Sequence, residues 1–204
     1  MARPPDADPD KTKRAILDAA LHAFSMRGLS GTRIREVAQA AGVTDASVHH
    51  YFGNKEALHA ACVDACFQAM FAIGADMIGH IAGLPEGDRV AAAVRFAARA
   101  ARAQPDRSRF LLRAFLFEES ESVRKRAYDA QREIVKAASG LVAEDPRFGR
   151  RLPVVALGVL ITRLALASDQ ECSLISEEVG DAEAAFEAYL VAVAELTLAP
   201  RTDS

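Results

Sequence analysis

Alanine fills 42 of the 204 positions, tryptophan is absent and aromatic residues make up only 6%. Ala is the strongest helix former, and Leu, Arg and Glu, which crowd the stretches between successive Gly and Pro residues, follow it closely. No segment shows the convincing apolar–polar alternation of a half-buried strand. The chain therefore reads as all-α. Half of its residues are apolar, enough for a self-sufficient core, which excludes a disordered protein. The longest uncharged apolar run, 152–162, has 11 residues and stops at Arg163. A spanning helix needs about 20, so no membrane partner is expected.

Charge is unevenly placed. Residues 11–55 hold seven basic residues against Asp18, Glu36 and Asp45, a net +4 in a chain whose total is −3, so the remainder carries −7. A basic segment inside an acidic protein is the electrostatic footprint of a nucleic-acid site, or a chance cluster of a few charges. Residues 1–10 hold three Pro and three Asp and read as a disordered tail. They contain no apolar stretch of the secretory kind, and three cysteines form no disulfide framework, so a cytoplasmic, reducing compartment is expected.

Helix signals follow one another along the chain. Ile16, Leu17, Ala20, Leu21 and Phe24 form one stripe of a helix over 11–27, ended by Gly28. Thr32 stands where a cap belongs for a second helix with Ile34, Val37, Ala38 and Ala41 inward. Gly42 and Val43 make a turn. Thr44 is the next cap, for a short helix over 45–51 that buries Val48 and Phe52. Gly53 breaks that helix, and Asn54 caps a fourth that reaches about residue 80. Further helices are expected over 85–104, 105–117, 119–143, 152–168 and 181–198, with a loop at 144–149. Two helices joined by a Gly turn are either a helix-turn-helix, whose second helix enters the major groove, or an ordinary helical hairpin.

The combination of residues 14–24 (RAILDAALHAF), Gly28, Thr32, Ile34, Val37-Ala38, residues 41–44 (AGVT), Tyr51-Phe52 and residues 54–58 (NKEAL) resembles the TetR family of transcriptional regulators. The likeness covers roughly residues 11–60. It implies a three-helix DNA-binding domain over 11–53 and a larger helical domain over 54–204 that dimerises and binds a small-molecule effector, with no cofactor and no enzymatic activity. The implied partners are a palindromic double-stranded operator, a second copy of the chain and an unknown effector. Implied DNA contacts are Thr32 and Arg33 at the start of the second helix, Thr44, Asp45, Ser47, His49, His50 and Tyr51 on the recognition helix, and Lys55 at the start of the fourth. One departure is clear: the family commonly has Leu-Tyr, the Tyr on a phosphate, where this chain has Val48-His49. The acidic residues Asp6, Asp8 and Asp10 are expected to point away from DNA.

Outside that segment the residues leave alternatives open. His59, Cys62 and Cys66 share one helix face, as zinc ligands or as small core residues. Arg113 and Arg163 interrupt apolar runs, and each either binds an anionic ligand or forms an internal or interface ion pair. Phe67, Met70, Phe71, Phe110, Phe117 and Tyr128, with Arg113, are candidates to line an effector cavity, or are core. The small residues Ala156, Gly158, Ala165, Ala188 and Ala192 suit close helix packing in a dimer bundle. No phosphate loop, Gly-x-Ser-x-Gly or His-Glu-x-x-His is present, which leaves catalysis without candidate residues.

Overall fold

The computed structural model describes residues 8–117, 120–140, 142, 144 and 147–198. The described residues form ten helices: α1 (Pro9–Gly31), α2 (Ile34–Ala40), α3 (Asp45–Phe52), α4 (Lys55–Ile81), α5 (Glu86–Ala103), α6 (Pro105–Leu116), α7 (Glu121–Ser139), α8 (Arg151–Ala165), α9 (Asp169–Val179) and α10 (Ala182–Leu198). The fold is all-α, with the helix-turn-helix at the N-terminal end.

The chain divides into two compact units. The first comprises the chain up to Gln68 together with Arg109–Tyr128. Its core is built from helical stripes: Ile16, Ala20 and Phe24 on α1, Val37 on α2, Val48 on α3, and Leu58, Cys62 and Cys66 on α4 are all buried. Burying one such side chain contributes about 1.5–3 kcal/mol for the larger residues. Phe110, carried in by α6, completes the centre, with its ring 4.9 Å from that of His59 and 6.4 Å from that of Phe24.

Three local expectations change at this end. The helix begins at Pro9 rather than residue 11, because Pro suits the first turn and the Asp8 carboxylate accepts the Asp10 N–H at 3.0 Å. The expected tail over 1–10 thus loses its last residues to α1, and residues 1–7 lie outside the described residues. At Gly28 the chain bends as expected (φ 72°, ψ −178°), a conformation that glycine alone adopts without strain, but one more turn follows before α2. The N-cap of α2 is consequently Arg33, which makes no side-chain capping bond, and not Thr32.

The second unit comprises Ala69–Ser108 and the chain from Asp129 onward. Ala91, Val94 and Ala98 of α5, Leu157 and Ile161 of α8, and Leu190, Val191, Ala194 and Leu198 of α10 form its core. The spacings of three, four and seven residues are those of one helix face. Glu187 of α10 takes Arg95 at 3.3 Å and Arg99 at 3.2 Å, and Glu183 takes Arg102 at 3.1 Å. Helix α9 has no counterpart in the helices expected from sequence. Its start is a reciprocal cap, in which the Ser168 hydroxyl accepts the Glu171 N–H and the Glu171 carboxylate accepts the Ser168 N–H. That cap also closes the expected 152–168 helix early, at Ala165.

Helix α4 is more apolar than the length of any uncharged run suggests. By length and composition alone this 27-residue helix is apolar enough to cross a membrane. Its isolated charged residues broke the runs without making the helix polar. One of them, Asp64, is paired with Arg126 at 3.2 Å in the first unit.

Candidate nucleic-acid interface

Helices α2 and α3 are joined by a turn whose geometry follows from two residues. Gly42 takes φ +68°, and the Val43 N–H then donates to the Ala38 carbonyl at 2.9 Å. Thr44 opens α3: its hydroxyl accepts the Ser47 N–H at 3.2 Å and lies 2.9 Å from the Ser47 hydroxyl. Val37 and Val48, both fully buried, fix the inner faces of the two helices. The outer face of α3 is then Thr44, Asp45, His49 and His50, all exposed, with Ser47 and Tyr51 half-buried. The His50 and Tyr51 rings meet edge to face at 5.3 Å. Asn54 caps α4 by accepting the Ala57 N–H at 2.7 Å.

This is a helix-turn-helix, and residues 16–62 match the profile of the bacterial regulatory proteins, tetR family. Over those residues the chain carries a TetR-type DNA-binding domain. The transcriptional regulator RutR of Escherichia coli K12 is 49% identical over 49 residues, 24% of this chain and 23% of RutR. The chain thus matches about a quarter of the length of its curated relatives. Solved structures resemble it over nearly the whole chain. The fatty acid degradation regulator FadR of Bacillus halodurans has a TM-score of 0.68 at 13% identity, covering 97% of this chain and 100% of FadR. AibR, solved with isovaleryl coenzyme A and operator DNA, has 0.68 at 14%, covering 93% and 100%. At such identities the likeness is one of fold.

Within this TetR domain the candidate contacts separate into exposed and tethered groups. Arg33 is exposed, as is Arg35, a basic residue of α2 outside the candidate contacts expected from sequence. Thr32 is 1% exposed. Its hydroxyl donates inward, to the Gly28 carbonyl at 2.8 Å and the Ala23 carbonyl at 3.2 Å, because the bend at Gly28 turns those acceptors toward it. Thr32 therefore fixes the corner before α2 rather than presenting its hydroxyl to a phosphate. Lys55 is half-buried, and its ammonium donates to the Thr32 carbonyl at 3.2 Å. His49 Nδ1 lies 2.6 Å from the Gly53 carbonyl. A carbonyl only accepts, so Nδ1 carries the hydrogen. Nε2 is then an acceptor in the neutral ring and donates toward an anion only as imidazolium.

His59, Cys62 and Cys66, the residues of the zinc option, lie in the core of the first unit. No cluster of three or more His, Cys, Asp or Glu is gathered to hold a metal among the described residues. The His59 ring packs against Phe24 at 4.8 Å and against Phe110, and Cys62 donates toward the Leu17 carbonyl at 3.9 Å. Burial, then the neighbouring Cys66 and Asp18, push the Cys62 thiol far up, which disfavours its reactive thiolate. Iodoacetamide is expected to label the half-buried Cys172 well before Cys62 and Cys66 in the native protein, as read by mass spectrometry of peptides. Equal labelling rates would contradict this burial.

The candidate effector residues do not converge on one described cavity. Phe110 is 1% exposed and belongs to the first unit's core. Phe67 meets Phe115 at 6.1 Å, and Phe115 meets Tyr128 at 5.9 Å, a line of rings rather than a wall. Phe71 and Phe117 face outward at 46% and 69% exposure, and Met70 is half-buried. Arg163 forms the internal ion pair, with Glu171. That guanidinium, then the Ser168 N–H, holds the Glu171 carboxyl down at about 2. Arg113 forms none with the described residues; its guanidinium lies against Gly28. An open groove of about 670 Å³ on the second unit is lined by Arg95, Arg99 and Arg102, but Asp181, Glu183 and Glu187 on its other wall cancel their charge.

Proposed function

We propose that the chain is a homodimeric, ligand-responsive transcriptional regulator that represses by occupying a palindromic operator. The observation that carries the reading is α3, a capped helix that buries Val48 and presents Thr44, Asp45, Ser47 and His49 outward within the basic segment 11–55 of net charge +4. A helix so presented fits a major groove, and two copies would read half-sites about 34–36 Å apart. Residues 11–53 are the DNA-reading part in this proposal and 54–204 the part that dimerises and responds. Support for the dimer comes from α8 and α10, which leave Val159, Tyr189 and Leu196 exposed beside the small exposed residues Ala156, Gly158, Ala188 and Ala192. Such a regulator acts in the cytoplasm, where the DNA is, and catalyses nothing. AibR's bound isovaleryl coenzyme A makes acyl-coenzyme A thioesters the first effectors to assay. Inducer and operator must weaken each other by the same factor.

The test is selection of an operator from random palindromes, followed by binding across a salt series. Arg33→Ala is expected to weaken binding on every sequence and to flatten the slope of log K against log salt by about one, the release of about one counterion. Lys55→Ala is expected to do the same. Unchanged affinity and slope in both variants would refute this docking. A second reading, a small-molecule-binding helical protein with vestigial DNA contact, draws on His49, whose neutral ring offers a phosphate no donor, and on the acidic residues 6, 8 and 10. Recovery of no enriched palindrome would favour it.

A further inference from the structure

Arg113 is half-buried and makes no ion pair among the described residues. A guanidinium is always charged and presents a rigid planar group to whatever it packs against. What it touches is the corner where α1 leads into α2. A Cβ built on Gly28 would lie 2.8 Å from Arg113 Nη2 and 3.5 Å from its Nε, so the planar group lies directly on the glycine backbone. One helical turn earlier on α6, Arg109 Nη1 reaches Met26 Sδ at 3.3 Å. Two side chains spaced i and i+4 thus press on the same corner, and both belong with it to the first compact unit.

That corner sets where α2 begins. Gly28 holds φ 72°, its carbonyl accepts the Thr32 hydroxyl at 2.8 Å, and the Thr32 carbonyl accepts Lys55 at 3.2 Å. Arg33 follows as the N-cap of α2. Glycine at this bend has more backbone freedom than any other residue, and the guanidinium covering it restricts that freedom.

We propose that Arg113 is a positioning residue for DNA reading: by covering Gly28 it fixes the bend that aims α2 and α3, without touching DNA itself. This rests on the reading of α2 and α3 as the DNA interface. It differs from a phosphate contact in one measurable way. A positioning residue changes affinity and leaves the salt slope intact, whereas a phosphate contact takes about one unit of slope with it.

The test uses the full-length protein on its selected operator. Arg113→Met, which keeps an unbranched apolar stem, is expected to weaken binding about tenfold at unchanged salt slope and nearly unchanged melting temperature. Gly28→Ala is expected to weaken binding of the native protein, and to cost less in the Arg113→Met background. The φ strain is common to both backgrounds, and only the collision with Nη2 is relieved. Native affinity in Arg113→Met, or a slope reduced by one, overturns the proposal. If that variant does not fold, Arg113→Lys takes its place, with the same outcomes expected. Amide hydrogen exchange of residues 29–36 without DNA is a readout independent of the operator. It should accelerate in Arg113→Met while the α4 core amides keep their rates, and no change overturns the proposal. Failure of the native protein to bind any palindrome would sink the function and leave the exchange result standing as the test of the corner.

Discussion

Ser47→Glu is expected to weaken operator binding by about 100-fold or more while leaving the melting temperature unchanged or slightly higher. The two effects separate because Ser47 is the third residue of α3, behind the Thr44 cap. Thr-x-x-Glu is the favoured capping-box pattern, and a carboxylate in the first turn also suits the helix dipole. The fold therefore loses only the contact between the Thr44 and Ser47 hydroxyls. In the proposed docking the DNA side loses far more, because a new negative charge would face phosphate at the end of the helix that enters the groove. Like-charge juxtaposition costs several kcal/mol, and every 1.4 kcal/mol is tenfold. Fluorescence anisotropy at fixed salt, beside a thermal melt, reads both quantities. Binding retained within tenfold would mean that the start of α3 does not face DNA.

The second large effect is on stability. Phe110→Ala is expected to cost about 3–5 kcal/mol, the range for emptying a buried aromatic site. Phe110 is 1% exposed, and its ring is in contact with His59 and near Phe24. The segment that brings it, Arg109–Tyr128, joins the first unit from more than 40 residues beyond Gln68. The loss is therefore that of a long-range tie as well as of apolar burial. Urea unfolding should show the fall in stability directly, and the melting temperature should drop by roughly 10 °C. A loss below about 1 kcal/mol would mean that the site collapses around the gap and that the ring is not central to the unit.

The helix-turn-helix was legible because its determinants are local. Gly42, the caps Thr44 and Asn54, and the stripes through Ile16, Val37 and Val48 lie within a few residues of what they control. Helix α9 was also signalled locally, by Ser168 and Glu171 at capping-box spacing and by Cys172, Ile175 and Val179 at helical spacing, although none of its residues is fully buried. Arg113 and Arg163 look alike in sequence, each a charge inside an apolar run, and they end differently. Arg163 finds Glu171 eight residues away, and Arg113 meets Gly28 from the far side of the unit's sequence.

What the sequence by itself determined is the helical class, the DNA-reading motif and the polar outer face of α3, since each depends on contacts a turn or two apart. Tertiary structure decided which way tethered groups point. His59, Cys62 and Cys66 have spacing compatible with zinc as well as with core, and the structure packs them in the core, with the His59 ring against Phe110. Thr32 has the sequence position of a cap, and only the bend at Gly28 turns its hydroxyl inward. Spacing fixes the face of a helix on which a side chain lies. What that face meets is fixed by segments dozens of residues away, whose arrival the local pattern does not encode.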